Sequence, residues 1–198
     1  MYPLTPGQDN VPQMPYMKVL EWGFTPKMLE NIEANITLQK AGYLSDETEE
    51  GLGHDNTIRS TDIDWIDTRM YPDFYETLSK VIHYTNSSFF KYAITDLEPC
   101  QYGVYAADKE GHYATHTDGM FKGPNGTVRK ISFSILLTDP KEFEGGDLLL
   151  QPDFKGIETD LQKYEICFFP SWLPHKVTPV TKGVRKSIVG WVHGPDFV

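Results

Sequence analysis

The stretch Gly111 to Asp118, with the sequence GHYATHTD, decides the fold that we predict for this chain. Within it, His116 and Asp118 stand two residues apart. Side chains with that spacing point to the same face of an extended strand, so this imidazole and this carboxylate can approach one metal ion. The stretch therefore predicts a β-strand that ends in two metal ligands.

A third candidate ligand, His175, lies further along the chain. It follows the segment Phe169 to Pro174, FPSWLP, in which a strand-like apolar run ends at a proline turn. Two histidines and one carboxylate form a facial triad, which leaves adjacent coordination positions open and suits non-haem Fe(II) in oxygen chemistry. The three residues together indicate an iron centre.

A positively charged side chain follows on the next predicted strand. Arg185 and Ser187 open an apolar run that continues to Val192, and their alternation places them on the same face as Val189 and Trp191. A guanidinium group matches a carboxylate through two parallel hydrogen bonds. Because a buried arginine needs an anionic partner, Arg185 predicts a co-substrate that carries a carboxylate.

Three segments of the chain resemble the Fe(II)/2-oxoglutarate dioxygenases of the prolyl-4-hydroxylase type, in particular the PKHD-type hydroxylases. These segments are Tyr105 to Asp118, Leu137 to Leu148 with the letters LTDPKEFEGGDL, and Phe169 to Arg185. The resemblance is close over residues 98–195 and loose over residues 17–97. The segment from Tyr105 to His116 is one residue longer than the family pattern.

The resemblance implies roles for six residues: His116, Asp118 and His175 as ligands of Fe(II), and Arg185, Ser187 and Tyr105 as the binding site of 2-oxoglutarate. It also implies O2 as a co-substrate, ascorbate in a supporting role, and succinate as a product. The implied reaction is the hydroxylation of an unactivated C–H bond, with peptidyl proline in a peptide or protein as the expected prime substrate.

Other functions remain compatible with the same residues. A jelly-roll module can bind or sense a metal without turnover, and a hydrolytic zinc enzyme can use a similar ligand set, although no additional general base stands near the triad. Hydroxylation of another side chain or of a small molecule also fits, because a fold alone does not determine the substrate. Formation of succinate from 2-oxoglutarate separates the dioxygenase from the non-catalytic module.

The periodicity of the chain predicts an α+β fold that is mainly β, a double-stranded β-helix (jelly roll) with N-terminal helices packed on one sheet. We expect one domain over residues 1–198. Residues 1–16 contain four prolines and predict an irregular arm, residues 17–97 carry two helical patterns that support the sheet, and residues 98–195 form the jelly-roll core.

Several local features are predicted as well. Thr25 followed by Pro26 is typical of a helix start, and Asp73 with Glu76 has the spacing of a capping box for a second helix. The acidic, glycine-containing segment 45–55 predicts a loop, and the apolar residues within 89–95 predict a strand. A further loop is expected at 119–127, directly after Asp118 and beside the metal.

The formal net charge of −10 argues against binding to nucleic acid or to an anionic membrane, both of which need clustered positive charge, and favours a neutral or basic partner. No apolar run approaches the roughly 20 residues that cross a bilayer, and the first residues do not resemble a secretory signal. We therefore expect a cytoplasmic protein. Cys100 and Cys167 lie in apolar stretches, which predicts reduced, buried thiols.

Overall fold

The computed structural model describes residues 16–19, 23–40, 43–48, 51–53, 55–119, 122–123, 126–151, 153 and 155–196. The predicted N-terminal arm lies outside these residues, apart from Tyr16. In chain order the elements are β1 Met17–Val19, α1 Pro26–Glu33, β2 Gln39–Lys40, β3 Tyr43–Thr48, β4 Gly51–Gly53, β5 Arg59–Ser60, β6 Asp62–Ile66, α2 Pro72–Thr85, β7 Asp96–Leu97, β8 Cys100–Ala106, β9 His112–His116, β10 Val128–Leu136, β11 Phe143–Gly145, β12 Leu148–Leu150, β13 Ile157–Glu158, β14 Ile166–Pro170, β15 His175–Val177 and β16 Val180–Gly194.

The strands form two main antiparallel sheets. The larger sheet has the order β1-β14-β10-β16-β8-β6-β2, with β7 and β11 also paired to β16, and the smaller sheet has the order β13-β12-β15-β9-β5. Among the described residues, strands β3 and β4 pair only with each other. At 15 residues, β16 is much longer than its neighbours and pairs with four of them, so it forms the axis of the larger sheet.

Two apolar cores hold these layers together. The first lies between the helices and the outer face of the larger sheet, with fully buried members that include Leu29, Ile32, Phe74, Leu78, Phe133 and Phe168. The second lies between the two sheets and includes Tyr105, Leu136, Leu150, Phe169 and Val177. This arrangement confirms the predicted double-stranded β-helix with N-terminal helices packed on one sheet.

The two helices begin differently. Helix α1 starts as predicted, because the Thr25 hydroxyl accepts a hydrogen bond of 3.2 Å from the backbone N–H of Met28 and Pro26 occupies the first turn. The capping box predicted for α2 is wrong. Tyr71 precedes that helix and makes no side-chain cap bond. Asp73 instead lies inside the first turn, where its negative charge interacts favourably with the helix dipole.

Two other local predictions are also wrong. The predicted loop at 45–55 contains most of the hairpin β3–β4, and the predicted strand at 89–95 is replaced at its start by a π-helical turn, Asn86–Phe90, that extends α2. The side chain of Asn86 accepts from the N–H of Tyr92 at 2.9 Å and donates to its carbonyl at 2.8 Å. Lys91, with a φ of +57°, then reverses the chain, so the apolar residues here do not form a ladder.

Both cysteines, Cys100 and Cys167, are buried and unpaired with each other, as the sequence predicts. Among the described residues, no helix combines the length and the apolar character that are needed to cross a membrane.

Candidate metal centre and co-substrate pocket

The three candidate metal ligands meet at one end of the smaller sheet. His116 ends β9, His175 begins β15, and the two residues are direct partners across the antiparallel pair. Nε2 of His116 lies 3.6 Å from Oδ1 of Asp118, and Nε2 of His175 lies 3.4 Å from Oδ2 of the same carboxylate. The ligand atoms of all three lie within 4.8 Å of one another, which is close enough to share one metal ion.

Backbone carbonyl groups orient both imidazole rings. Nδ1 of His116 lies 2.8 Å from the carbonyl oxygen of Ala114, and Nδ1 of His175 lies 2.9 Å from that of Leu173. A ring nitrogen beside a carbonyl oxygen carries the proton, so Nε2 of each ring keeps its lone pair on the side of Asp118. Burial, followed by the nearby His175, lowers the pKa of His116 to about 4, so this imidazole is neutral near pH 7.

Asp118 is buried and held by several donors. The Ser132 hydroxyl donates to its Oδ2 at 2.7 Å, the side chain of Trp191 donates a further hydrogen bond, and the backbone N–H of Asp118 donates to the carbonyl of Ser171 at 2.8 Å. Burial alone would raise the pKa of Asp118, but the two histidines and these hydrogen bonds outweigh it and lower the pKa. The carboxylate is therefore ionised and fixed in orientation.

Sequence reasoning missed Ser132, although the chain contains a signal for it. Ile131, Phe133 and Ile135 alternate with Ser132 and Ser134 along β10. Residues of the first set that are buried pack under the helices, so the hydroxyl residues face the space between the sheets. Polar residues at every second position of a strand buried on both faces indicate a site on the polar side.

Arg185 lies in the second core and is 2% exposed. Its Nη1 donates to Oγ of Ser187 at 2.9 Å, and its guanidinium carbon lies 5.4 Å from the ring centre of Tyr105, its partner on β8. Burial lowers the pKa of Arg185, yet the side chain forms no ion pair with any described residue. The three residues predicted for 2-oxoglutarate are thus brought together, around a buried cation that lacks a carboxylate.

A cavity of about 140 Å³ opens against Arg185. Leu136 and Leu148 form part of its wall, and Asp147 stands at its edge. Gly146, with a φ of +69°, makes room for the arginine, since a side-chain carbon there would lie 2.9 Å from Cδ of Arg185. The lining also includes Asp147, Glu158 and Asp160, so Arg185 is the single cation of a cavity that carries three carboxylates.

Two other histidines near the site are engaged elsewhere. His112 has its ring nitrogens against the carbonyl oxygens of Glu110 and Thr57, at 2.7 and 3.2 Å, and Nε2 of His193 contacts the carboxylate of Glu98. Neither belongs to the group of three ligand residues around Asp118.

Sequence reasoning also missed a row of side chains that leads away from His116. The ring of Tyr113 stacks on that of His116 with centroids 3.7 Å apart, and the guanidinium carbon of Arg59 lies 4.6 Å from the Tyr113 ring centre. Nη2 of Arg59 donates to Oε1 of Gln101 at 2.6 Å. The row becomes visible only when β5, β8 and β9 are assembled, because no spacing in the sequence connects these residues.

Residues 100–193 match the family described as the 2OG-Fe(II) oxygenase superfamily. The chain is also similar to PKHD-type hydroxylases. That of Gloeothece citriformis is 42% identical over 82 residues, which cover 40% of this chain and 36% of the relative. That of Crocosphaera subtropica is 35% identical over 83 residues, or 41% and 37% of the two chains. The matched segment thus spans little more than a third of these relatives.

Solved structures resemble the fold over nearly the whole chain. A prolyl hydroxylase from Trichoplax adhaerens, in complex with a peptide fragment of the hypoxia inducible factor oxygen degradation domain, has a TM-score of 0.69 and 19% identity, and the alignment covers 91% of this chain and 84% of that one. A prolyl-4-hydroxylase from Pseudomonas putida has a TM-score of 0.68 and 19% identity, with coverages of 93% and 95%. These likenesses support the jelly-roll fold.

Proposed function

We propose that this chain is an Fe(II)- and 2-oxoglutarate-dependent dioxygenase that hydroxylates an unactivated C–H bond, and the match of residues 100–193 to the 2OG-Fe(II) oxygenase superfamily supports this proposal. One observation carries the proposal. The ligand atoms of two imidazoles and an ionised carboxylate lie within 4.8 Å of one another, and the buried Arg185 has no carboxylate partner among the described residues.

The donor set fits Fe(II). His116, Asp118 and His175 supply two nitrogen ligands and one oxygen ligand and leave adjacent positions free, which is the pattern of non-haem iron oxygenases. When bound, iron and 2-oxoglutarate supply the activation of O2. The residues of the chain fix the geometry: the Ala114 and Leu173 carbonyls orient the imidazoles through their Nδ1 atoms.

Arg185 and Ser187 would hold the distal carboxylate of 2-oxoglutarate. The Arg185–Ser187 hydrogen bond fixes the guanidinium plane before the ligand arrives, which reduces the entropy lost on binding. Tyr105, which packs beside the guanidinium, is proposed as an additional donor. The buried setting excludes water and strengthens each charge-assisted bond. A module that only binds a metal has no need of this arrangement.

The proposed prime substrate is a prolyl residue in a peptide or protein. The relatives named PKHD-type hydroxylases and the prolyl hydroxylases of similar fold support this choice. The rings of Trp65 and Trp191, with centres 6.2 Å apart and planes tilted by 49°, add support because they offer aromatic surface against which a pyrrolidine ring can pack. A cytoplasmic location stays a prediction from the sequence.

The test uses the iron-loaded full chain with 2-oxoglutarate, O2 and a set of peptides. We expect succinate to form and a proline-containing peptide to gain one oxygen atom by mass spectrometry, whereas a matched peptide with alanine in place of proline stays unchanged. Equal oxidation of both peptides would remove the prolyl assignment and leave the dioxygenase. A failure to form succinate with any substrate would overturn the dioxygenase itself.

A further inference from the structure

We propose that Arg59 recognises a carboxylate on the prime substrate, so that the enzyme prefers a target residue next to an acidic side chain or to a C-terminal carboxylate. This inference rests on the proposed function and deepens it, because it names a chemical feature of the substrate. Arg59 lies outside residues 100–193, the segment that matches the superfamily.

Arg59 bridges the two sheets beside the metal centre. It belongs to β5 of the smaller sheet, and its Nη2 donates at 2.6 Å to Gln101, a buried residue on β8 of the larger sheet. Tyr113, its direct partner on β9, lies beneath its guanidinium group and stacks in turn on His116. The cation is therefore held in one place, with a single ring between it and a metal ligand.

The charge of Arg59 is not neutralised within the described residues. The sequence contains four arginines, and two of them pair with carboxylates: Arg69 with Asp67 and Arg129 with Glu98. Arg185 and Arg59 form no ion pair with any described residue, and Arg59 is the one that packs on the ring next to His116.

One donor of Arg59 is also left without a partner. Its Nε is buried, and no described residue accepts a hydrogen bond from it. A buried donor on a charged group is costly to leave unsatisfied. The residue as a whole is only partly buried. A carboxylate that approaches its guanidinium group from solvent would add a charge-assisted hydrogen bond.

Aromatic side chains connect the surroundings of Arg59 to the metal ligands. Trp65, the register partner of Gln101, is 45% exposed, and its ring lies 6.2 Å from that of Trp191, which contacts Asp118. Contacts therefore lead from Asp118 through the two indoles to the row that contains Arg59, and along that row to His116. Trp65 is the exposed member of this set, so a substrate bound against it would lie close to Arg59.

Arg185, the residue proposed to bind the co-substrate, lies nearer the start of β16 than Trp191 does. Arg185 and Trp191 are six positions apart on β16, which is about 20 Å between their Cα atoms at roughly 3.3 Å per residue. One cation is therefore available for 2-oxoglutarate and a separate one for the substrate. The overall charge of −10 does not oppose this, because salt screens distant charges and Arg59 acts at contact distance.

The experiment measures binding without turnover. Wild-type chain loaded with Fe(II) and 2-oxoglutarate under anaerobic conditions is titrated with two pairs of proline-containing peptides by calorimetry. In one pair, end-blocked peptides differ only in Glu against Gln after the proline, and in the other a free C-terminal carboxylate is compared with its amide. We expect the charged member of at least one pair to bind about ten to a hundred times more tightly.

Arg59→Gln should remove this preference while the affinity for 2-oxoglutarate and the thermal midpoint stay unchanged, which shows that the variant is folded. Arg69→Gln is the matched control, because Arg69 is exposed and pairs with Asp67. This variant should keep the preference for the charged peptide. The pair that shows the preference identifies the source of the carboxylate.

Equal binding within both pairs by the wild type, or a preference that survives in Arg59→Gln, would overturn the role of Arg59. Either result leaves the proposed dioxygenase activity standing, because succinate formation is measured separately. If no succinate forms but the charged peptide still binds more tightly, the proposed dioxygenase activity would be wrong and the role of Arg59 would stand.

Discussion

Arg185 and Arg59 are the two arginines that form no ion pair with any described residue, and the fold holds them in different ways. Arg185 lies on the central strand β16, is 2% exposed and belongs to the segment that matches the superfamily. Arg59 lies on the two-residue strand β5, is partly exposed and precedes that segment. The buried Arg185 suits a ligand that never varies, as the co-substrate 2-oxoglutarate does not. The partly exposed Arg59 suits a prime substrate, which differs between enzymes.

Removing a metal ligand should have the largest effect, because both sides of the cleft depend on the ion. His175→Ala leaves only two of the three ligands, so we expect turnover to be abolished while the far-UV circular dichroism spectrum is retained. Titration with Co(II) or Mn(II), which such a site also accepts, measures the loss of binding directly. His83→Ala, at an exposed position of α2, is the control. Full activity in His175→Ala would refute the metal centre.

Changing the buried arginine should be the next largest effect. In Arg185→Lys a single ammonium group replaces the planar two-bond donor, so 2-oxoglutarate loses a charge-assisted partner. We expect a loss of roughly 2–5 kcal/mol, equivalent to about a thirtyfold or greater rise in the dissociation constant. Calorimetry with 2-oxoglutarate measures this. Metal affinity should stay the same. If the affinity for 2-oxoglutarate is also unchanged, a residue other than Arg185 binds its distal carboxylate.

A smaller effect is expected from Ser132, which donates to Asp118 at 2.7 Å. Ser132→Ala removes one donor from the carboxylate and should weaken metal binding about tenfold, a typical cost of losing an outer partner of a ligand. Ser134→Ala is the matched control, because it changes the same residue type two positions along β10, on the same face. Equal metal affinities in the two variants would show that this hydrogen bond does not tune the site.

The smallest effect should come from changing Glu98, which binds Arg129. This ion pair holds the Arg129 guanidinium group 4.0 Å from the ring centre of Trp191. Burial would raise the pKa of Glu98, but hydrogen bonds from Arg129 and His193 outweigh it and lower the pKa below its ordinary value of 4.5. A carboxyl group with a depressed folded pKa stabilises the fold above its unfolded pKa, and this contribution is lost as the pH falls through the folded value.

Glu98→Gln should therefore cost about 1 kcal/mol near neutral pH, and the difference from wild type should shrink as the pH falls below 4.5. Urea unfolding at several pH values measures it. The more exposed pair Lys182 and Glu144 offers a control, since Glu144→Gln should change stability much less. A gap that stays constant down to the acid limit would contradict the role of the ionised carboxylate.

The pairing of Arg185 with Ser187 and two of the three candidate metal ligands could be predicted from the sequence. Alternation on a strand explains why Arg185 and Ser187 share a face, and their hydrogen bond confirms it. The His116 and Asp118 spacing indicated two ligands, but their approach to His175 depends on the register of β9 and β15, which only a family resemblance could supply in advance. Local signals thus identified the residue types, and strand pairing determined their distances.

The row of side chains that contains Arg59 could not be predicted in the same way. Arg59 occurs in a segment whose pattern indicates only a strand, and its significance comes from Gln101 and Tyr113, which lie on two other strands. The predicted strand at 89–95 was wrong for a related reason. The side-chain hydrogen bonds between Asn86 and Tyr92 outweigh the local preference for a strand. Contacts between distant parts of the chain decide both features.

The length of β16 limits how this protein can change during evolution. One unbroken strand carries Arg185 at one end of the cleft and Trp191 at the other, in continuous register with β8 and β10. Inserting or deleting a single residue between them would turn one of the two side chains to the opposite face. Substitutions on this strand can therefore be accepted one at a time, whereas changes in length should be confined to the connections outside it.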